Sequence, residues 1–234
     1  MKVVPVKIRN VNVYPFQDME ELIDYTVDKK KLLLSLNAEI IMRAEGEVAD
    51  IINSNVGYAD GYGAVKAMYR KGEKELKRIP GCELWLELVK RYHSLKTFYL
   101  IGSTEDTICA TVKKLKELYP DINIVGYRNG FIKETSEKEA LLVDVKEKKP
   151  DFVFVAMGFP IQELLMYELY RIPTATYLNL GGSFDVFTNK VSRAPRWIQN
   201  IGMEWFYRFI THPSRYKRQV VYWQFLCAYY GGRL

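Results

Sequence analysis

The chain has 234 residues, of which 48% are hydrophobic and 26% are charged. This composition is typical of a folded globular protein and excludes a disordered or low-complexity chain. The formal charge is +6, and the last 42 residues hold seven basic residues with few acidic ones between them, namely Arg193, Arg196, Arg208, Arg215, Lys217, Arg218 and Arg233. Such a basic segment favours phosphate, nucleic acid or anionic lipid as a partner.

The cysteines and the hydropathy pattern indicate a compartment. Cys82, Cys109 and Cys227 are widely spaced and form no CxxC pair, which favours a reducing environment. The first residues contain no apolar core of a signal peptide, and no run of about 18 apolar residues occurs. We therefore expect a cytoplasmic protein, peripheral on the inner face of the cell membrane.

The predicted elements alternate between strands and helices. Residues 1–16 predict short strands in a hairpin, and longer apolar runs of strand length follow at 31–36, 97–101, 122–125, 152–157 and 175–180. Helical patterns lie between them, for example at 81–93, 105–118 and 137–147. This alternation predicts an α/β fold, with a Rossmann-like, mostly parallel sheet and helices on both faces.

The alternation stops near Pro195. We predict an α/β core over residues 1–194 and a basic, aromatic, helical appendage that associates with membranes over residues 195–234. Pro213 divides this appendage into two helices, with Ser214 as the N-cap of the second. The mixture of aromatic and basic residues suits a helix lying on a membrane surface. It also suits a buried helix with a solvated basic face, or a surface for single-stranded nucleic acid.

Small or polar residues end each predicted strand: Ser35 and Asn37, Gly102 and Ser103, Gly126, Gly158, and Gly181 with Gly182. In open α/β sheets ligands bind at these carboxyl ends, where loops lead into helix N-termini. Small residues there allow a ligand to approach the backbone. We therefore expect the site at this edge of the sheet.

Two polar residues at strand ends are candidates for chemistry. Asp60, followed by Gly61, predicts a carboxylate at a strand-to-helix turn. It can act as a general base at the mouth of a cleft, or simply as a turn or capping residue. Asn37 can bind a nucleotide base or ribose, or cap the helix that follows it.

The segment that follows the strand at 152–157 predicts a helix start suited to anions. Gly158 makes a turn and Pro160 lies in the first helical turn. Gln162 and Glu163 add an amide and a carboxylate in that turn, facing the crevice. An ordinary strand-to-helix connection would show the same glycine and proline.

Paired glycines mark a second loop. Gly181 and Gly182, with Asp185 close behind, resemble a phosphate cradle. The dinucleotide and Walker fingerprints are both missing from the sequence, so the glycine pair alone is weak evidence.

Neither a metal nor another cofactor is predicted. His93 and His212 lie far apart without the spacing of a zinc site, and the sequence contains no Asp-x-Asp motif. The charge of a leaving diphosphate would then fall to arginines or helix N-termini.

Taken together, these segments resemble the WecG/TagA/CpsF glycosyltransferase family. The resemblance runs from about residue 31 to the end of the sequence. It is carried by SLNAE (35–39), ADG (59–61), RIPGCELW (78–85), AMGFPIQE (156–163), GGSFDVF (181–187), RAP (193–195) and EWFYR (204–208). The order and spacing of so many segments are more specific than any single motif. Within the family, the resemblance is greatest to members that transfer N-acetylmannosaminuronic acid.

The resemblance implies a metal-independent, inverting transfer from a UDP-linked mannosamine sugar to N-acetylglucosaminyl-diphospho-undecaprenol. It implies that Asp60 is the catalytic base and that Arg78 is a second catalytic residue. The implied donor-binding residues are Ser35, Asn37, Gly158, Gln162, Gly181, Gly182, Asp185, Arg208, Arg215 and Arg218.

The partners expected on this basis are a UDP-sugar, a lipid-linked acceptor and the membrane surface, without nucleic acid and with a possible homo-oligomer. UDP-N-acetylmannosamine, as in teichoic acid linkage-unit synthesis, is the alternative donor. Two other classes remain open: a non-catalytic nucleic-acid or polymer binder that uses the basic segment, and a soluble sugar-nucleotide hydrolase or epimerase.

Overall fold

The computed structural model of the chain describes residues 3–27, 29–171, 175–200, 202–211 and 216–234. Within its helices, only the backbone is described for Asn200, Trp205, Arg208, Phe209 and residues 216–219. The strands found in these ranges are Val6–Ile8 (β1), Val11–Val13 (β2), Leu32–Leu36 (β3), Val56–Ala59 (β4), Thr97–Gly102 (β5), Asn123–Arg128 (β6), Phe152–Ala156 (β7) and Thr176–Asn179 (β8).

Helices alternate with these strands, which confirms the predicted α/β class. They are Met19–Thr26 (α1), Ala38–Arg43 (α2), Gly46–Asn53 (α3), Tyr62–Arg70 (α4), Gly81–Tyr92 (α5), Glu105–Leu118 (α6), Thr135–Lys148 (α7), Ile161–Tyr170 (α8), Ser183–Phe187 (α9), Arg196–Asn200 (α10), Glu204–Thr211 (α11) and Tyr216–Tyr230 (α12).

Six strands form one parallel sheet in the order β4-β3-β8-β7-β5-β6. The predicted hairpin is also confirmed, since β1 and β2 pair antiparallel with Val6 opposite Val13. The chain leaving β2 runs beside β4, where the Tyr14 N–H donates to the Gly57 carbonyl at 2.7 Å. The described ranges therefore hold a parallel sheet together with a small hairpin.

The strand order divides the helices between the two faces of the sheet. The chain moves outward from β5 to β6, and then returns past β5 to β7 and on to β8. Because parallel crossovers are right-handed, α6 covers one face while α7 and α8 cover the other. In agreement, α6 packs with α9, whereas Lys138 of α7 pairs with Glu168 of α8 at 2.9 Å. The prediction of helices on both faces is confirmed.

The bounds predicted for the strands hold to within one or two residues except at β6. The strand predicted to end at Gly126 continues to Arg128. Gly126 lies against the ring of Tyr99 in β5, where a Cβ would approach the ring to 2.3 Å. Gly126 therefore makes room for a neighbouring aromatic side chain and does not end the strand.

By its internal contacts the chain divides into two units, and each combines segments that are distant in sequence. The first unit comprises residues 1–18, 36–80 and 192–234, and the second comprises 19–35 and 81–191. The first contains the hairpin, β4, α2–α4 and the C-terminal helices. The second contains α1, β5–β8, α5–α9 and all of β3 except its last residue.

Aromatic packing holds α5 and α9 of the second unit against β7. Trp85 of α5 is fully buried. Its ring meets those of Phe154, Phe184 and Phe187 edge to face, with centroids 5.2–5.7 Å apart. Each such pair adds about 0.5–1.5 kcal/mol beyond the burial of apolar area. This cluster fixes α9 over the sheet, and α9 carries Asp185.

The C-terminal helices pack within the first unit. Phe225 of α12 is 3% exposed, and its ring lies where a Cβ on Gly63 would approach it to 3.2 Å. Trp223 and Tyr230 on the same helix are 59% and 76% exposed. The appendage predicted to hold two helices contains three, because α10 precedes α11 and α12. The break between α11 and α12 falls where Pro213 was predicted to divide the segment, and Pro213 and Ser214 themselves lie outside the described residues. Association of this segment with membranes stays a prediction.

No helix in the described ranges is both long enough and apolar enough to cross a membrane.

Candidate active site

A chain of buried polar side chains lies at the carboxyl ends of β3, β7 and β8 in the second unit. At its centre, Oε1 of Glu163 accepts hydrogen bonds from Gln162 Nε2 at 2.9 Å and from Asn179 Nδ2 at 2.8 Å. Oδ1 of Asn179 accepts in turn from the Ser35 N–H at 2.6 Å. None of these four residues is more than 9% exposed. Their pairing offsets the cost of burying polar groups.

The two glycine turns of this unit are joined by one side chain. Oε1 of Gln162 accepts from the N–H of Gly158 at 3.1 Å and from the N–H of Gly181 at 3.0 Å. Gly158 has φ +82° and Gly181 has φ +54°, a left-handed backbone that favours glycine. Gly182 follows as the exposed N-cap of α9. The side chain of Gln162, predicted to bind the donor, therefore lies beneath both loops and holds them.

Asp185 joins α9 to the start of α6. Its Oδ1 accepts from Ser103 Oγ at 2.8 Å and from Thr107 Oγ1 at 3.4 Å. Ser103 follows β5 directly and has φ +55°. The sequence pointed to Ser103 as a strand end without giving it a role. Its pairing with Asp185 was not predicted, because the two residues lie 82 positions apart.

A crevice at the ends of β5 and β7 follows from the strand order. The loop after β5 leads to one face of the sheet and the loop after β7 leads to the other. Such a switch point is where open α/β sheets bind ligands. Gly102 ends β5 with φ +135°, and a Cβ there would lie 2.2 Å from the Ala156 carbonyl oxygen. The two strand ends are therefore as close as their backbones allow.

The start of α6 beside this crevice already carries negative charge. Thr104 caps the helix, and Glu105 and Asp106 lie in its first turn. Hydrogen bonds from Asn129 and then Cys109 lower the pKa of Glu105 below its usual value, so the carboxylate is ionised at neutral pH. This helix start suits a neutral base or a ribose better than a diphosphate.

In the first unit, Asp60 and Asn37 lie side by side. The Asp60 N–H donates to the Leu36 carbonyl at 3.0 Å, and a Cβ on Gly61 would lie 3.1 Å from Cβ of Asn37. Oδ1 of Asn37 accepts from the Ile40 N–H at 3.0 Å, so Asn37 does cap α2. The amide NH₂ of Asn37 is the part of the side chain suited to a ligand. The predicted strand-to-helix turn at Asp60 is confirmed, since β4 ends at Ala59 and α4 begins at Tyr62.

Arg78 belongs to the same group of residues. The Ile79 N–H donates to the Ala59 carbonyl at 2.9 Å, so the segment carrying Arg78 runs beside the end of β4. The guanidinium lies over the ring of Tyr62, 4.9 Å from its centroid. Its NH1 is 3.6 Å from Oε2 of Glu204, and the Arg78 side chain is 14% exposed. The side chain is thus held by a ring and a carboxylate.

Glu204 begins α11 and reaches two arginines. Besides Arg78, Nε of Arg193 lies 4.0 Å from its Oε1. The sequence places Glu204 in the EWFYR motif without indicating a role for its side chain. The side chains of Arg208 and Arg218 lie outside the described part of the structure, and so does Arg215 altogether. Their predicted contacts with the donor stay predictions.

Among the described residues, no three His, Cys, Asp or Glu side chains are grouped closely enough to hold a metal ion. A reaction without metal stays a prediction.

The predicted site residues fall into two groups, one in each unit. The second unit brings together Ser35, Gly158, Gln162 and Gly181, with Gly182 and Asp185 on or beside α9. The first unit brings together Asn37, Asp60 and Arg78, with Glu204 added by the structure.

The family model described as Glycosyl transferase WecG/TagA/CpsF family matches residues 1–234. The match confirms the resemblance drawn from the sequence motifs. Enzymes of this kind take a sugar-nucleotide donor and a lipid-linked acceptor. The chain therefore belongs to the WecG/TagA/CpsF family and is a UDP-sugar-dependent glycosyltransferase of surface polysaccharide synthesis.

Proposed function

We propose that the enzyme transfers N-acetylmannosaminuronic acid from its UDP donor to N-acetylglucosaminyl-diphospho-undecaprenol, with inversion and without a metal ion. This step converts lipid I to lipid II of enterobacterial common antigen. The observation that carries the chemistry is the proximity of Asp60, which follows β4, to Asn37, which follows β3, with Arg78 on the adjacent segment.

Asp60 is the proposed general base. Its carboxylate takes the proton of the acceptor hydroxyl, and the hydroxyl oxygen forms a bond to the anomeric carbon of the donor sugar. The bond between that carbon and the diphosphate oxygen breaks, and UDP leaves with the electron pair. A single displacement of this kind inverts the anomeric centre and needs no covalent nucleophile. Asp60 suits this role because it is partly exposed and lies at a strand-to-helix turn.

Arg78 is the proposed partner of the leaving diphosphate. An arginine can donate two parallel hydrogen bonds to phosphate oxygens, which stabilises the charge that develops on them. Tyr62 and Glu204 restrict its guanidinium, so little conformational freedom is lost when the donor binds. Arg208, Arg215 and Arg218 are proposed to add positive charge on the same side of the reaction.

The donor nucleotide is proposed to bind at the strand ends of the second unit, near Ser35, Gly158, Gly181, Gly182 and Asp185. Support comes from the switch point between β5 and β7, where ligands bind in sheets of this type. Gln162 acts there through the loops that it holds. The lipid acceptor explains the exposed tail aromatics Trp223 and Tyr230, because rings of this kind favour membrane interfaces.

The test is a transfer assay with a short-chain N-acetylglucosaminyl-diphospholipid, offered UDP-N-acetylmannosaminuronic acid and UDP-N-acetylmannosamine separately. We expect product from the uronate donor, and a loss of about 10²-fold or more in Asp60→Asn, because a positioned base contributes about that much. Asp50→Asn, an exposed aspartate of α3 in the same unit, is the matched control and should keep the wild-type rate.

If product formed from UDP-N-acetylmannosamine alone, that sugar nucleotide would be the donor in place of UDP-N-acetylmannosaminuronic acid. A fully active Asp60→Asn variant would remove Asp60 as the base. Release of UDP without any lipid acceptor would favour a hydrolase.

A further inference from the structure

We propose that Glu163 is the positioning residue of the donor site, and that it acts by setting the orientation of two buried amides. The inference rests on the proposed function, in which the donor binds at the ends of β3, β7 and β8. It assigns a role to a carboxylate that the transfer chemistry leaves unused.

The first step is the direction of the hydrogen bonds at Glu163. Its Oε1 lies 2.9 Å from Gln162 Nε2 and 2.8 Å from Asn179 Nδ2. A carboxylate oxygen only accepts, so both amides must turn their nitrogen atoms towards it. Their oxygen atoms are thereby directed away from Glu163. One acceptor thus selects one of two orientations for each amide.

The second step is what those amide oxygens hold. Oε1 of Gln162 accepts the N–H groups of Gly158 and Gly181, at 3.1 and 3.0 Å. Oδ1 of Asn179 accepts the Ser35 N–H at 2.6 Å. Either amide, if turned around, would place its NH₂ group against a backbone N–H. The backbone at the ends of three adjacent strands therefore depends on the one oxygen atom of Glu163.

The third step is burial. Glu163 and Asn179 are each 1% exposed and Gln162 is 3% exposed. Water has little access to replace a lost partner there, so a broken bond must be relieved by movement of the loops. The loops that would move are those proposed to bind the donor. A disturbance at Glu163 should therefore raise the KM for the donor as well as lower stability.

Gln162→Glu tests this arrangement with almost no change of shape. Its Oε1 can still accept from both glycines, but its second oxygen would lie about 2.9 Å from Oε1 of Glu163. Two carboxylates at that distance cannot both ionise, so they share one proton and their pKa is raised. The shared proton restores the lost bond at low pH. The three strands and the loops at their carboxyl ends, residues 32–37, 152–160 and 176–182, contain one other titratable group, Tyr177, whose hydroxyl donates to the Leu169 carbonyl.

Transfer rates of the full chain should therefore be compared from about pH 6 to about pH 9, the range in which a buried, raised carboxyl pair titrates. We expect Gln162→Glu to remain within about threefold of wild type at pH 6, and to fall about tenfold below it by pH 9, the loss expected for one buried hydrogen bond. Glu163→Ala should lose about tenfold in kcat/KM for the donor at every pH, with the KM for the acceptor unchanged.

Glu168→Ala is the matched control, since Glu168 lies on the same helix, α8, and pairs with Lys138 at the surface; its kinetic constants should match wild type. A Gln162→Glu profile parallel to wild type, or a Glu163→Ala variant with wild-type kcat and KM, would overturn the inference. A role in folding alone would change melting temperatures and leave the KM for the donor unchanged in the folded protein.

Melting temperatures without substrate separate this inference from the proposed function. A group whose pKa is raised in the folded state loses its stabilising contribution as pH rises through that pKa. The melting temperature of Gln162→Glu should therefore fall relative to wild type between pH 6 and pH 9. If wild type transferred sugar from neither donor, the proposed function would fail. The hydrogen bonds around Glu163 would then be tested by these melting temperatures alone. A difference in melting temperature between Gln162→Glu and wild type that stays constant with pH would overturn this inference as well.

Discussion

Asp60, Asp185 and Glu163 each follow a strand of the sheet, but their surroundings differ. Glu163 is buried and accepts from two amides, and Asp185 accepts from the hydroxyls of Ser103 and Thr107. Asp60 is partly exposed at the start of a helix. A base must reach a substrate that arrives from solvent, which favours Asp60, whereas the other two carboxylates are placed to hold loops and helices together.

Glu204 is the residue whose importance the structure adds. Its carboxylate lies 3.6 Å from Arg78 and 4.0 Å from Arg193, and its side chain is 17% exposed. We predict that Glu204→Gln lowers the transfer rate about tenfold, because two partly buried guanidinium groups then lose their common counter-charge and Arg78 shifts over Tyr62. Steady-state kinetics with the lipid acceptor would measure this.

Glu47→Gln, an exposed glutamate in the first turn of α3, provides the comparison and should behave as wild type. A wild-type rate in Glu204→Gln, with Arg78→Ala inactive, would show that Arg78 needs no partner at Glu204.

At the scale of the elements, backbone contact between β5 and β7 shapes the crevice of the second unit. The Ser103 N–H donates to the Ala156 carbonyl at 2.9 Å. Gly130, after β6, approaches the same turn, with its missing Cβ 3.1 Å from Cα of Gly102. The ends of three strands are therefore packed backbone against backbone, which only glycines permit.

Gly102→Ala should destabilise the protein by about 3 kcal/mol, because it combines a disfavoured φ with an overlap against a backbone carbonyl that cannot move aside. Gly181→Ala should cost only about 1 kcal/mol, since φ is also positive there but a Cβ would meet nothing within 4 Å. Urea unfolding followed by circular dichroism would compare the two midpoints. Equal shifts would mean that φ alone accounts for the cost.

Most elements were predictable because they depend on neighbours in the sequence. The predicted helix at 105–118 matches α6 exactly in its bounds, since Thr104 caps it and its apolar residues repeat along one face. The strands predicted at 97–101 and 152–157 each differ from β5 and β7 by one residue at one end, because both are continuous apolar runs. The extension of β6 to Arg128 was not predicted, because the glycine at 126 is explained only by the ring of Tyr99 on the neighbouring strand β5.

At the scale of the molecule, each unit is assembled from segments far apart in the chain. The predicted boundary at residue 195 follows a change of composition, whereas contacts group residues 192–234 with 1–18 and 36–80. Arg70 of α4 donates to the Tyr229 carbonyl of α12 in that unit. Removing the last helices would therefore uncover part of the first unit's core as well as remove the basic residues.

The dependence of the transfer rate on a metal ion can be tested on the complete enzyme. We predict that EDTA leaves the transfer rate unchanged, because the sequence has no Asp-x-Asp motif and the proposed arginines stabilise the diphosphate instead. The rate should be measured before and after dialysis against EDTA, and again with added Mg²⁺. Strong inhibition that Mg²⁺ reverses would mean that a metal ion takes part.

The sequence by itself determined the α/β class, the strand-end position of the candidate residues and membership of the family. These depend on local periodicity and on motifs that are contiguous in the chain. Only the tertiary structure decided the strand order, the switch point between β5 and β7, and the partners of Glu163, Asp185 and Arg78. Those contacts join residues such as Ser103 and Asp185, 82 positions apart, and no local pattern specifies which distant strand ends will meet.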